Sequence, residues 1–144
     1  MDIQSESGNE YAVVDPDEVE DSYAGSEDVR GEFRRLTDSL GCEQLAASLI
    51  RVPPHSDFEQ GTGHFHEEVE ELYLVTRGVL TMRLGDQIQK VQAPAAVRVA
   101  NRTPRSHRNE GEEPVEMWAI SRKVEHGDAT KIEDFWEASP EAQQ

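Results

Sequence analysis

The stretch Gly63-His64-Phe65-His66-Glu67-Glu68-Val69-Glu70-Glu71-Leu72-Tyr73-Leu74-Val75-Thr76-Arg77-Gly78 combines two histidines, four glutamates and a run of strand-forming residues. On an extended chain, residues two apart point to the same face, with Cα atoms about 6–7 Å apart. His64 and His66 can therefore aim two imidazoles at one point. After the acidic step 67–70 the chain returns as an apolar strand, Glu71–Thr76, closed by Gly78. Glu71 opens that adjacent strand and can bring a carboxylate beside the imidazoles. Tyr73 and Val75 share its face, whereas Glu70 has the opposite parity and points outward. Two imidazoles and a carboxylate with open positions suit Fe(II), and also Mn(II), Ni(II) or Zn(II). A helical HExxH zinc site is excluded, because Glu70 stands where that motif needs its second histidine. A His-x-His pair alone is an ordinary surface feature, so the wider spacing carries the weight.

Around this stretch the chain has the texture of short strands broken by turn residues. Strands are expected at Leu45–Val52, His64–His66, Glu71–Thr76, Val79–Leu84, Gln87–Gln92, Val97–Ala100 and Val115–Ser121. Pro53-Pro54 and Gly85-Asp86 mark turns, and 55–63 and 101–104 read as loops. Within Val79–Leu84 the alternation puts Leu80, Met82 and Leu84 on one face, and Thr81 and Arg83 on the other. Seven or eight close-spaced strands predict an all-β sandwich or barrel. Helices do not alternate with strands, which argues against a parallel α/β fold. The spacing of Val29, Phe33 and Leu36 predicts a helix over 27–36, with Gly41 as a stop. A second short helix is expected in the tail, capped by Asp128 or Thr130 before Ile132, Phe135 and Trp136.

The chain has 144 residues and 16.2 kDa, the size of one domain. It divides into an acidic, loosely structured strap (1–25), a β domain (26–121) and a tail (122–144). Thirty Asp and Glu stand against 14 Lys and Arg, for a formal charge of -16 and a pI near 4.6. That balance excludes a general nucleic-acid binder and argues against docking on anionic membranes. The N-terminus is acidic where a secretory signal is basic and then apolar, and no run approaches the ~20 apolar residues of a membrane span. A soluble, cytoplasmic protein is expected. Its single cysteine, Cys42, can form no internal disulfide and lies outside the motif region with no adjacent histidine. His55 and His126 sit in loop contexts, and Trp118 reads as packing.

Residues 1–33 hold eleven acids against Arg30, and the whole chain has only three lysines. This composition fits a protein adapted to concentrated salt, where self-repulsion is screened. The melting temperature should then rise clearly from low to molar KCl, and deletion of 1–25 should flatten that rise. A melting temperature constant across the series would refute the salt adaptation.

The spacing His-x-His, four residues, Glu, six residues, Gly resembles the first motif of the cupins. Their second motif, Gly, five residues, Pro-x-Gly-x-x-His, three residues, Asn, is matched loosely by 97–111. Asn109, Gly111 and Pro114, followed by Val115–Ser121, look like the family's closing hairpin. Counted back from Asn109, the motif's Pro falls on Ala100, its Gly on Arg102 and its metal-binding His on Arg105. Arginine offers no lone pair and cannot ligate a cation. His107, two residues on, faces the same side one strand-step deeper. Three alternatives follow: His107 supplies the third imidazole, the site keeps only His64, His66 and Glu71, or Arg105 binds an anion. The resemblance implies an antiparallel jelly-roll β-barrel with a divalent metal (Fe, Mn, Ni or Zn) at its centre. It implies His64, His66, Glu71 and His107 as metal ligands, and Arg105, Tyr73 and Met82 as contacts of a small-molecule ligand. It also implies a homodimer. Two functions fit: an oxygenase or isomerase acting on a small organic acid, or a non-catalytic cupin that holds an anion through Arg105.

Overall fold

The computed structural model describes residues 10–137, so the first nine residues of the acidic segment and the last seven of the tail lie outside the described residues. Ten strands are formed: β1 (Glu32–Arg35), β2 (Leu45–Val52), β3 (Gly63–His66), β4 (Glu71–Arg77), β5 (Val79–Leu84), β6 (Gln87–Gln92), β7 (Ala95–Val99), β8 (Arg105–Arg108), β9 (Val115–Arg122) and β10 (Ala129–Ile132). Among the described residues helix is nearly absent, with a single turn α1 (Thr37–Leu40) and a 3-10 turn at Pro16–Glu18. Among the described residues, no helix is long and apolar enough to cross a membrane.

All pairing is antiparallel, in two five-stranded sheets ordered β1-β2-β9-β4-β7 and β10-β3-β8-β5-β6. Strand alternation decides which side chains enter the core. Ile50, Met117 and Val75 form one row across β2, β9 and β4. Tyr73, Val52, Val115 and Val99 lie on the same inner face, and Leu80 and Met82 come from the other sheet, with Phe58 from the loop before β3. Burying each large apolar side chain contributes about 1.5–3 kcal/mol. A one-residue slip of β4 would turn Tyr73 and Val75 outward, so register is strongly specified.

Three expectations are corrected. The sheets do not close into a barrel, since β7 and β6 each end a sheet. β6 is mostly exposed and polar (Gln87, Gln89, Lys90, Gln92), and such an edge does not recruit a further strand. The helix expected over 27–36 is replaced by β1, in which Phe33 pairs with Ile50. Gly31 has φ +134, outside the helical region, and a Cβ there would lie 2.6 Å from the Arg51 carbonyl, so the chain bends onto the edge of β2. Gly41 does act as a stop, at φ 69, but for the single turn α1.

The tail helix is replaced by β10, which pairs residue for residue with β3. An uncovered β3 edge would leave its backbone groups unpaired, and that demand overrides the local capping signal. The alternation in β5 holds, with Leu80 and Met82 in the core and Leu84 packed against it, and the opposite face is buried too, at Thr81 and Arg83. Tail residues cover that second face. Arg83 Nη1 donates to the Phe135 carbonyl at 2.7 Å, and its guanidinium lies 4.7 Å from the Phe135 ring centroid. The Trp136 indole donates to Ser106 Oγ at 2.8 Å beneath the guanidinium of Arg108.

At the other end of the described chain, the acidic segment is tied down by two arginines. Arg51 pairs with Asp17 at 2.6 Å, and Arg34 Nη1 donates to the Val19 carbonyl at 2.5 Å.

Candidate metal centre

β3 presents His64 and His66 to the interior, and their rings meet edge to face with centroids 5.1 Å apart. Glu71 is not on an adjacent strand, as the sequence suggested, but on the facing sheet, where its Cα partners are Val99 and Ser121. The candidate site therefore spans the gap between the two sheets. One ligand atom from each of His64, His66 and Glu71 lies within 4.8 Å of the other two. Glu71 Oε1 is the meeting point: His66 Nε2 is 3.5 Å away, His64 Nε2 3.9 Å and Arg105 Nη2 3.5 Å. The Tyr73 hydroxyl also donates to this oxygen.

Behind each imidazole stands a second carboxylate. Asp128 Oδ1 lies 2.7 Å from His66 Nδ1, and Glu59 Oε2 lies 3.2 Å from His64 Nδ1. A Nδ1–H held by a carboxylate leaves the lone pair of the neutral ring on Nε2, the atom that faces Glu71. Neither Glu59 nor Asp128 was among the expected site residues. Glu59 belongs to the 55–63 loop, and it enters where β3 and β8 pair only at His64 and Arg105. There it also accepts from the His107 backbone N–H at 3.2 Å and from Ser106 Oγ at 3.3 Å. No spacing rule connects Asp128 to His66 across 62 residues.

Gly63 makes the approach of these elements possible. A Cβ on it would fall 2.5 Å from the Phe135 ring and 2.8 Å from the Arg105 carbonyl.

Burial pushes the His64 imidazole down, but Glu59 and Glu71 outweigh it and raise its pKa to about 9. His66 is raised as well, chiefly by Glu71 and, against burial, by Asp128. Burial alone would raise Glu71, yet His64, His66 and Tyr73 hold its carboxyl well below the ordinary carboxylate range. Burial and the Glu71 charge push the Tyr73 phenol well above its usual value. Asp128 is lowered, with His66 and the backbone N–H groups of Glu68 and Val69 overcoming a desolvation cost. The pocket thus alternates carboxylates with imidazoles whose protonated forms those carboxylates favour. A divalent cation would exchange the ring protons for a single ion, and the donor set of two Nε2 atoms and an ionised carboxylate fits one.

Arg105 and His107 part company here. Both point inward from β8 and both are buried. Arg105 donates to the Thr103 carbonyl at 2.7 Å and reaches Glu71, at the edge of the three candidate ligands. His107 instead places Nε2 3.3 Å from Glu59 and stacks on Phe58, outside the convergent three. Met82 is the cross-strand partner of His107. Arg105 Nε and His107 Nδ1 are buried without a hydrogen-bond partner among the described residues. Asn109 is structural: its amide donates to the carbonyls of Val52 (3.1 Å) and Glu113 (2.7 Å), shaping the turn before β9. His55 and Glu70 make exposed ion pairs, with Glu112 and Arg98.

The profile of the family described as the cupin domain matches residues 48–121, more than half of the chain. The chain belongs to the cupin family. No curated protein sequence matches it. Solved structures that resemble it include a conserved protein with a double-stranded β-helix domain from Klebsiella pneumoniae, at TM-score 0.65 and 15% identity over 84% of this chain and 96% of that one. A predicted oxalate decarboxylase from Thermotoga maritima aligns at TM-score 0.62 and 19% identity, covering 78% of this chain and 99% of that one. A putative sugar phosphate isomerase from Acidithiobacillus ferrooxidans aligns at TM-score 0.61 and 17% identity, covering 73% and 72%. At such identities the likeness is one of fold.

Proposed function

We propose that this cupin binds one divalent metal through Nε2 of His64, Nε2 of His66 and the Glu71 carboxylate, and acts on a small organic acid as an oxygenase or isomerase. The observation that carries the proposal is the pairing of each imidazole Nδ1 with its own carboxylate, which leaves two Nε2 atoms aimed at a third carboxylate. A bound Fe, Mn, Ni or Zn ion would supply Lewis acidity or redox chemistry and hold an acid group of the substrate. Arg105, fully buried beside Glu71, would orient that group, and Tyr73 would hold the Glu71 oxygen in place. Two resembling structures bear names of enzymes acting on small acids or phosphosugars, in keeping with a small anionic substrate. Pairing of two copies through a sheet edge belongs to the same reading, since β7 is hydrogen-bonded on one side only.

Metal analysis of protein purified in chelator-free, metal-supplemented buffer tests the reading. About one divalent ion per chain is expected, and metal-free protein would refute it. The pH dependence has a definite sign. His64 keeps its proton below about pH 9, whereas a metal needs the bare Nε2. Apparent affinity should therefore fall by roughly tenfold per pH unit below that value through His64 alone, with release of protons on binding. Calorimetric titration with Zn(II) at pH 6, 7 and 8, in buffers of different ionisation enthalpy, measures both. An affinity constant over that range would count against ligation by His64.

The second reading, a non-catalytic cupin that holds an anion through Arg105, is favoured by the buried Arg105 Nε without a partner. It predicts that small carboxylates or phosphate raise the melting temperature of metal-free protein, and that Arg105→Lys abolishes the rise by losing the guanidinium fork.

A further inference from the structure

We propose that Asp128 is a positioning residue for the metal centre, and that metal affinity is coupled to the docking of β10 onto β3. This rests on the metal-binding reading above. Asp128 lies beyond residues 48–121, the part of the chain that carries the family's pattern. One carboxylate oxygen holds His66 Nδ1 at 2.7 Å, and the other accepts the N–H groups of Glu68 (2.9 Å) and Val69 (3.2 Å). Its carbonyl accepts the Glu67 N–H at 3.1 Å. A single residue thus fastens the turn between β3 and β4 and aims a ligand ring.

The strand that follows it runs along the ligands themselves: Ala129 is the Cα partner of His66, and Lys131 of His64. The Asp128 side chain is only 10% exposed, so its bond to His66 is shielded from competing water. Outer carboxylates of this kind set the tautomer and orientation of a ligating imidazole, and their loss costs about 10–100-fold in metal affinity. Coupling is reciprocal, so a metal that grips His66 must also tighten β10.

The alternative is that Asp128 is only a turn fastener, through its three backbone bonds. The full-length chain and D128N are titrated with Zn(II) against a chromophoric chelator, and the Nδ1–H proton of His66 is followed by NMR in the loaded protein. The proposal expects one equivalent of Zn(II) in the unaltered chain, an affinity about 10–100-fold lower in D128N, and an upfield move of the Nδ1–H signal. Equal affinity and an unmoved signal would overturn it, even with a lower melting temperature. An unaltered chain that takes up no Zn(II) would overturn the metal-binding reading itself, and this inference with it. Should D128N fail to fold, amide exchange in the unaltered chain decides. Slower exchange across Ala129–Ile132 on adding Zn(II) supports the coupling, and unchanged exchange refutes it.

Discussion

Replacing His64 or His66 by alanine is expected to remove stoichiometric metal from the protein while leaving its β-rich circular dichroism intact. Losing a partner behind a ligand already costs about 10–100-fold in affinity, and losing the ligand exceeds that. Either substitution leaves one imidazole and Glu71, too few donors to outcompete water and buffer. The fold should survive because the packed core, Ile50, Val52, Tyr73, Val75, Leu80, Met82, Val99, Val115 and Met117 with Phe58, contains neither histidine. A stability loss of about 1–3 kcal/mol is expected, since Glu71 and one outer carboxylate each lose a partner in a largely buried site. His107→Ala is the matched control and should leave the metal in place, because His107 lies against Glu59. Metal content and chemical denaturation, measured on the three variants together, check this. Loss of metal on His107→Ala, with retention on His64→Ala, would show that the ligand set is wrong.

The second large effect is expected at Arg105, where stability and metal affinity should move in opposite directions. The side chain is fully buried, donates to the Thr103 carbonyl and stands 3.5 Å from Glu71 Oε1. Removing one partner of a buried ion pair costs about 3–5 kcal/mol. Glu71 keeps His64, His66 and Tyr73, so Arg105→Met should cost near the lower end, about 3 kcal/mol, in metal-free protein. The guanidinium also repels any cation placed at Glu71. At an effective dielectric of 20, two unit charges 4 Å apart interact by about 4 kcal/mol, so even a strongly screened fraction of that is worth tenfold in affinity. Arg105→Met should therefore bind Zn(II) at least about tenfold more tightly while unfolding at lower denaturant. A weaker Zn(II) affinity in this variant would mean that Arg105 serves the metal by holding Glu71 rather than opposing it.

An arginine at this place also bears on what the centre can hold. Beside a dication it needs an intervening negative charge, and Glu71 already supplies one. Under the proposed function, an acid bound there would share Arg105 with Glu71, through the guanidinium nitrogen without a partner among the described residues. The proposal therefore expects small, planar anions with two acceptor oxygens rather than bulky neutral ligands.

Much of this molecule is legible in the chain itself. Apolar, strand-forming runs bounded by turn residues mark β2, β4 and β9, and period-two alternation marks β5 and β6, within a residue or so of their ends. His-x-His on an extended segment is enough to place two imidazoles on one face, since that is a property of any strand. The Gly63–Gly78 spacing points to the family that the profile match establishes.

What the chain could not disclose is set by pairing between distant segments. Val29, Phe33 and Leu36 have helical spacing, but Phe33 is held in β1 because the edge of β2 offers a ladder and Gly31 turns the chain onto it. Asp128 carries a helix-cap signal, yet its oxygens are taken by His66, Glu68 and Val69, and its neighbours complete the β3 edge. Glu71 meets the histidines across the two sheets, and Glu59 enters from a loop that shows no periodicity. Local rules act over two to four residues, and they decide which face a side chain takes on its own strand. Which carboxylate stands behind which imidazole is decided by the stacking of two sheets and the burial it enforces, so only the tertiary structure reveals it.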